Sequence, residues 1–128
     1  MGTSVAISEH FAVVGYHGIR WYFAHPSITI ERPFKTLIKN LDNGLVSVVQ
    51  TFGILSLSGN ILAVMRPCNR EQELGDLLQV FCIDQNNNLH LIMRQENLYQ
   101  AKVENGFLVT IEAYRDVKLC VTPLSELQ

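Results

Sequence analysis

Short apolar runs, each about one strand long and nearly all separated by turn residues, constrain this chain more than any other feature. Val5 to Ile7, Phe11 to Tyr16, Ile19 to Phe23, Ile28 to Ile30, Leu45 to Val49, Ile54 to Leu57, Ile61 to Met65, Leu77 to Ile83, Leu89 to Met93, Phe107 to Ile111 and Val117 to Val121 are β-branched or aromatic runs. His17-Gly18, Asp42-Asn43-Gly44, Ser58-Gly59-Asn60, Asp84 to Asn88 and Glu104-Asn105-Gly106 supply residues that accept positive φ or bond their own backbone, as tight hairpins require. The pattern predicts an all-β fold of short antiparallel strands. At most one short helix is expected, over Pro33 to Leu41, where Phe34, Leu37, Ile38 and Leu41 stand at i, i+3, i+4 and i+7 with Lys35 and Lys39 off the stripe. Arg70 to Leu78 is cut by Gly75 and Asp76 and reads as a charged loop.

Composition bounds the class. At 128 residues, 48% apolar and 17% charged, the chain suits one domain over residues 1–128 and excludes disordered and collagen-like classes. The net charge of −2 conceals a split, with a basic excess through Arg70 and an acidic excess from Glu71 onward. The halves attract one another within a fold or head to tail between copies, and neither is dense enough to hold nucleic acid by counterion release. Cys68, Cys82 and Cys120 are odd in number and set apart, which argues for reduced thiols over a disulfide framework. Met1-Gly2-Thr3-Ser4 lacks a basic segment and a long apolar run, and Ala6 stands where a myristoylation signal needs Ser or Thr. No apolar run approaches the roughly 18 residues of a membrane-spanning helix. A cytoplasmic or otherwise intracellular location without a transmembrane segment is therefore expected.

Three strand pairs recur along the chain. Phe11 to Val14 precedes Ile19 to Tyr22, Ile61 to Val64 precedes Leu78 to Phe81, and Phe107 to Thr110 precedes Val117 to Cys120, the first strands starting 50 and 46 residues apart. This spacing and order resemble the inner strands of WD40-type β-propeller blades. Trp21 is followed by Tyr22, and Cys120-Val121 stands where that family carries its Trp-Asp dipeptide. The resemblance implies about three blades, too few to close a ring, so a strand edge would be left for another copy. A β-trefoil and an antiparallel sandwich or barrel without a true repeat are the competing architectures.

The chemistry-bearing residues are few. Tyr16, His17, Trp21, Tyr22, Phe23 and His25 crowd within ten positions and could offer flat faces with polar tips to a ligand, although Trp21 and Phe23 also suit a core. No Cys-x-x-Cys or His-x-x-x-His spacing marks a zinc site. Asp84 to Asn88 begins like a calcium loop, but Leu89 replaces the required Gly and Gln95 the final Glu. No metal or other cofactor is expected. The best catalytic grouping is Cys82, Asp84 and His90 across one hairpin turn, against which a Cys between Phe81 and Ile83 reads as a small buried hydrophobe. Two basic, Pro-broken segments hold Arg32 with Lys35 and Arg66 with Arg70, suited to an acidic partner such as the Glu71, Glu73 and Asp76 loop of a second copy.

The resulting expectation is a non-enzymatic protein-interaction or scaffold module that self-associates, with no catalytic residue and with Tyr16, His17, Trp21, Tyr22, His25, Arg32, Lys35, Arg66 and Arg70 as candidate binding residues. The alternatives are a small β-barrel that binds or hydrolyses a small molecule through Tyr22, His25, Cys82 and His90, and a viral accessory or structural protein.

Overall fold

A computed structural model of the chain describes residues 3–16, 20–22, 29–31, 35–51, 53–66, 77–113 and 117–127. These residues form thirteen strands, all paired antiparallel, and one 3₁₀ turn at Leu124–Glu126. The all-β expectation holds. The first sheet has the order β1-β2-β5-β6, with β1 Thr3–Ile7, β2 Phe11–Tyr16, β5 Lys35–Asn40 and β6 Val46–Val49. The second runs β10-β9-β8-β7, from β7 Ile54–Ser58, β8 Ile61–Arg66, β9 Leu77–Ile83 and β10 Leu89–Glu96. The third is β11-β12-β13, from Gln100–Glu104, Phe107–Ala113 and Val117–Pro123. A separate hairpin pairs β3 Arg20–Tyr22 with β4 Thr29–Glu31. No helix among the described residues is long and apolar enough to cross a membrane.

The second sheet is buried on both faces along β8, which gives the fold three layers. Along β8, Ile61, Leu62, Ala63, Val64 and Met65 are all buried. Leu62 and Val64 join Leu55, Leu57 and Ile83 against Phe11, Val13 and Ile38 of the first sheet. Ile61, Ala63 and Met65 join Leu78 and Val80 against Ala101, Val103 and Leu108 of the third. A strand covered on both sides has no reason to alternate, so its sequence is a continuous apolar run.

Residues 35–40, inside the one span where the sequence allows a short helix, form strand β5. Thr36, Ile38 and Asn40 are its buried face, while Lys35 and Leu37 are half-buried and Lys39 is exposed. Two of the three inward residues are polar and are satisfied locally. Thr36 Oγ1 donates to the Thr51 carbonyl at 2.6 Å, and Asn40 Oδ1 accepts from the Asp42 N–H at 2.9 Å. Their polarity hid a period of two beneath an accidental helical stripe. Strand β11 was also unanticipated, because only Ala101 and Val103 of its five residues turn inward. Of the three recurring strand pairs, β8–β9 and β12–β13 are neighbours, whereas β2 pairs with β1 and β5.

Serine side chains link sheets where ladders stop. Ser4 Oγ accepts from the Leu55 N–H at 2.9 Å, Ser56 Oγ from the buried Val103 N–H at 3.0 Å, and Ser58 Oγ from the Gly106 N–H at 2.8 Å. The first two supply an acceptor to an edge N–H that would otherwise lose water without gaining a bond, and the third ties down the exposed turn at Gly106.

Candidate functional site

The outward face of the third sheet follows from register alone. Strand β12 pairs Val109 with Val121 and Ile111 with Leu119, so Phe107, Val109 and Ile111 share one face with Val117, Leu119 and Val121. Leu108 and Thr110, on the other face, are buried against the core. Nothing among the described residues covers the β13 part of this set, where Val117 is 77% exposed, Leu119 63% and Val121 56%, while Val109 and Ile111 of β12 are half-buried. Lys102 and Glu104 of β11 flank the apolar strip, with Lys102 Nζ 3.6 Å from Glu104 Oε2. A shallow cavity of about 260 Å³ opens on this side, bordered by Gln100, Lys102, Val109 and Ile111. Contiguous exposed apolar surface with a polar rim is the physical mark of an association surface.

The first sheet presents a second such face. Val5 and Ile7 of β1 and Val46 and Val48 of β6 are exposed, with Val14 and Leu37 half-buried between them. Lys35 and Lys39 lie on the same side of β5, so this face is apolar and basic where the other is apolar and nearly neutral.

At one end of the stack the β5–β6 and β9–β10 turns are tied together by asparagines. Asn87 Nδ2 donates to the Leu45 carbonyl at 2.9 Å and to the Ile38 carbonyl at 3.3 Å, and Asn43 Nδ2 donates to the Gln85 carbonyl at 3.2 Å. A His–Asp pair closes each side, His10 Nδ1 to Asp42 Oδ2 and His90 Nε2 to Asp84 Oδ2, both at 2.8 Å. The His90 ring and the backbone N–H groups of Asn88 and Asn86 bring the Asp84 carboxyl from 3.8 down to about 2. A carboxylate that accepts from two N–H groups and an imidazole locks the turn. His90 stands opposite Cys82 in the ladder, and Asn60 Nδ2 donates to Cys82 Sγ at 3.2 Å. Where the β1–β2, β7–β8 and β11–β12 turns converge, an open groove of about 500 Å³ is lined by Glu9, His10, Ser58 and Glu104.

Five of the sequence-selected binding residues lie among the described residues. Tyr16 ends β2 at the register position of Lys35, the first residue of β5. Trp21 and Tyr22 lie in β3 opposite Ile30 and Thr29, and Arg66 ends β8, exposed, opposite Leu77. His17, His25, Arg32 and Arg70 fall outside the described residues. The exposed set Val117, Leu119 and Val121 was missed as a surface. Its alternation was legible, but alternation does not say which face meets water.

No protein family, curated protein or solved structure matches the chain.

Proposed function

We propose that this protein is a non-enzymatic interaction module that self-associates through its exposed sheet surfaces. The observation that carries the reading is the apolar outward face of β12 and β13, where Val117, Leu119 and Val121 stand in water at a cost that association would remove. Each stands on backbone already ordered by the β12–β13 ladder, so no backbone ordering opposes docking. The partners that suit such a face are proteins, including further copies of the chain. Sedimentation velocity or light scattering across about 1 μM to 1 mM, a range matched to weak and moderate affinities, is expected to show mass rising with concentration. A monomer throughout overturns self-association.

The His90–Asp84 pair opposite Cys82 supports a second reading, a thiol-based hydrolytic or binding site in which Asp84 orients His90 beside a nucleophile. Under the first reading Cys82, half-buried against the core cluster, reacts with a maleimide or iodoacetamide at the pace of unfolding. Rapid labelling at neutral pH, lost when His90→Ala is introduced, would favour the second.

A further inference from the structure

The geometry points to a specific mode of self-association, which rests on the reading above for association itself but uses the edge of the third sheet and sets the outward side chains of the two copies side by side: two copies pair β13 with β13 antiparallel about a two-fold axis at Leu119, joining their third sheets into one six-stranded sheet.

The other described edges of the three sheets carry protection. Strands β1 and β7, edges of the first and second sheets, are tied to one another through the Ser4–Leu55 bond, and β11 is held to β7 through the Ser56–Val103 bond. Strand β6 is four residues long. Strand β10 has a bulge between Leu91 and Met93 and carries Arg94 and Glu96. Bulges, charges, short length and covering are the devices by which proteins blunt edges. Strand β13 has none of them over its first six residues beyond one charge, Lys118, and its proline, Pro123, comes last. Seven residues long, it has a neighbour only on the β12 side among the described strands.

The backbone polarity of β13 fixes the register. The Leu124 N–H donates to the Gly106 carbonyl at 2.9 Å, which continues the β12–β13 pairing by one step. Antiparallel ladders alternate, so Thr122, Cys120 and Lys118 also turn their backbone groups toward β12. Val117, Leu119 and Val121 therefore turn theirs to the free edge. A two-fold axis at Leu119 sets Leu119 against Leu119 of the second copy and Val117 against Val121. Every outward N–H and carbonyl of the three residues is then matched, and Pro123, which has no N–H to give, stays outside the ladder. Shifting the pairing by one register brings Pro123 opposite Val117 and leaves carbonyls unmatched. The centred register also sets Lys118 opposite Cys120, so the one charge of the strand meets no like charge. The strand is thus complementary to itself, as an isologous interface requires.

The test is a charge exchange read by sedimentation velocity on the full-length chain, with circular dichroism confirming each fold. Val117→Lys with Val121→Lys places like charges opposite one another twice and is expected to raise the dissociation constant about tenfold or more. Val117→Lys with Val121→Glu places opposite charges there and is expected to associate as the unaltered chain does. Leu119→Lys, which meets its own copy on the axis, is expected to yield monomer. If all three variants associate like the parent, or if the Lys/Glu variant dissociates as readily as the Lys/Lys one, the β13 pairing is overturned while self-association through another face stands. If the parent is monomeric throughout, both fall.

Discussion

Replacing Leu62 by Ala is expected to destabilise the protein by about 3–5 kcal/mol, the range for deleting a fully buried aliphatic side chain whose surroundings cannot collapse. Leu62 has no exposed surface and packs among Leu57, Phe11 and Ile38 between the first and second sheets. The more telling result concerns its neighbour. Ala63, on the opposite side of the strand, is packed between the second and third sheets with Val80, Val103 and Leu108. In a two-layer sandwich one of two adjacent strand residues faces water and tolerates change. Here Ala63→Leu is expected to cost about 1–3 kcal/mol through overpacking, while Ile7→Ala, at an exposed position of β1, stays within about 0.5 kcal/mol. Urea denaturation of the three variants checks the set. If Ala63→Leu is neutral while Leu62→Ala is severe, the three-layer arrangement is wrong.

The same strand shows what sequence could and could not reveal. An unbroken run from Ile61 to Met65 is the signature of a strand buried on both faces, and it was legible as a strand for that reason. Strand β5 was not, because Thr36 and Asn40 occupy its inward face and their satisfying partners, Thr51 and Asp42, are visible only after folding. Strand β11 was lost in the polar letters of Gln-Ala-Lys-Val-Glu, whose burial depends on Ser56 arriving from a strand 47 positions earlier in the chain. The candidate surface divides similarly. That Val117, Leu119 and Val121 share a face follows from a period of two. That the face is bare depends on which sheet is outermost, a property of the whole stack. Aromatic density drew attention to Tyr16 through His25, yet composition cannot say where such a cluster points. Of Asp84 to Asn88, sequence identified the turn, while the lock between Asp84 and His90 is a tertiary fact.

Asn87 is expected to be the most costly turn residue to change, because two separate demands meet there. Its φ is 63°, in the left-handed region that penalises a Cβ by about 1–2 kcal/mol. Its side chain, 2% exposed, gives both bonds to the Ile38 and Leu45 carbonyls through Nδ2 alone, while Oδ1 meets no donor among the described residues. Removing Nδ2 deletes two hydrogen bonds, at about 1–3 kcal/mol together, although the Leu45 carbonyl keeps its bond from the Asn40 N–H at 2.8 Å. Asn87→Ala therefore loses both terms and is expected to cost about 3 kcal/mol or more, whereas Asn87→Gly keeps the conformation and loses only the bonds. Asn105, exposed at φ 51°, calibrates the conformational term, since Asn105→Ala forfeits the left-handed preference and none of the Asn87 bonds. Asn87→Asp is expected to exceed all of these, because it aims a buried carboxylate at two carbonyl oxygens. Denaturant midpoints at pH 7, with hydrogen exchange followed at the β5–β6 turn, separate the contributions. Should Asn87→Gly match the parent in both, the asparagine tie does not hold the two turns together, and the ordering of this end must come from His10–Asp42 and the remaining Asn40 and Asn43 bonds.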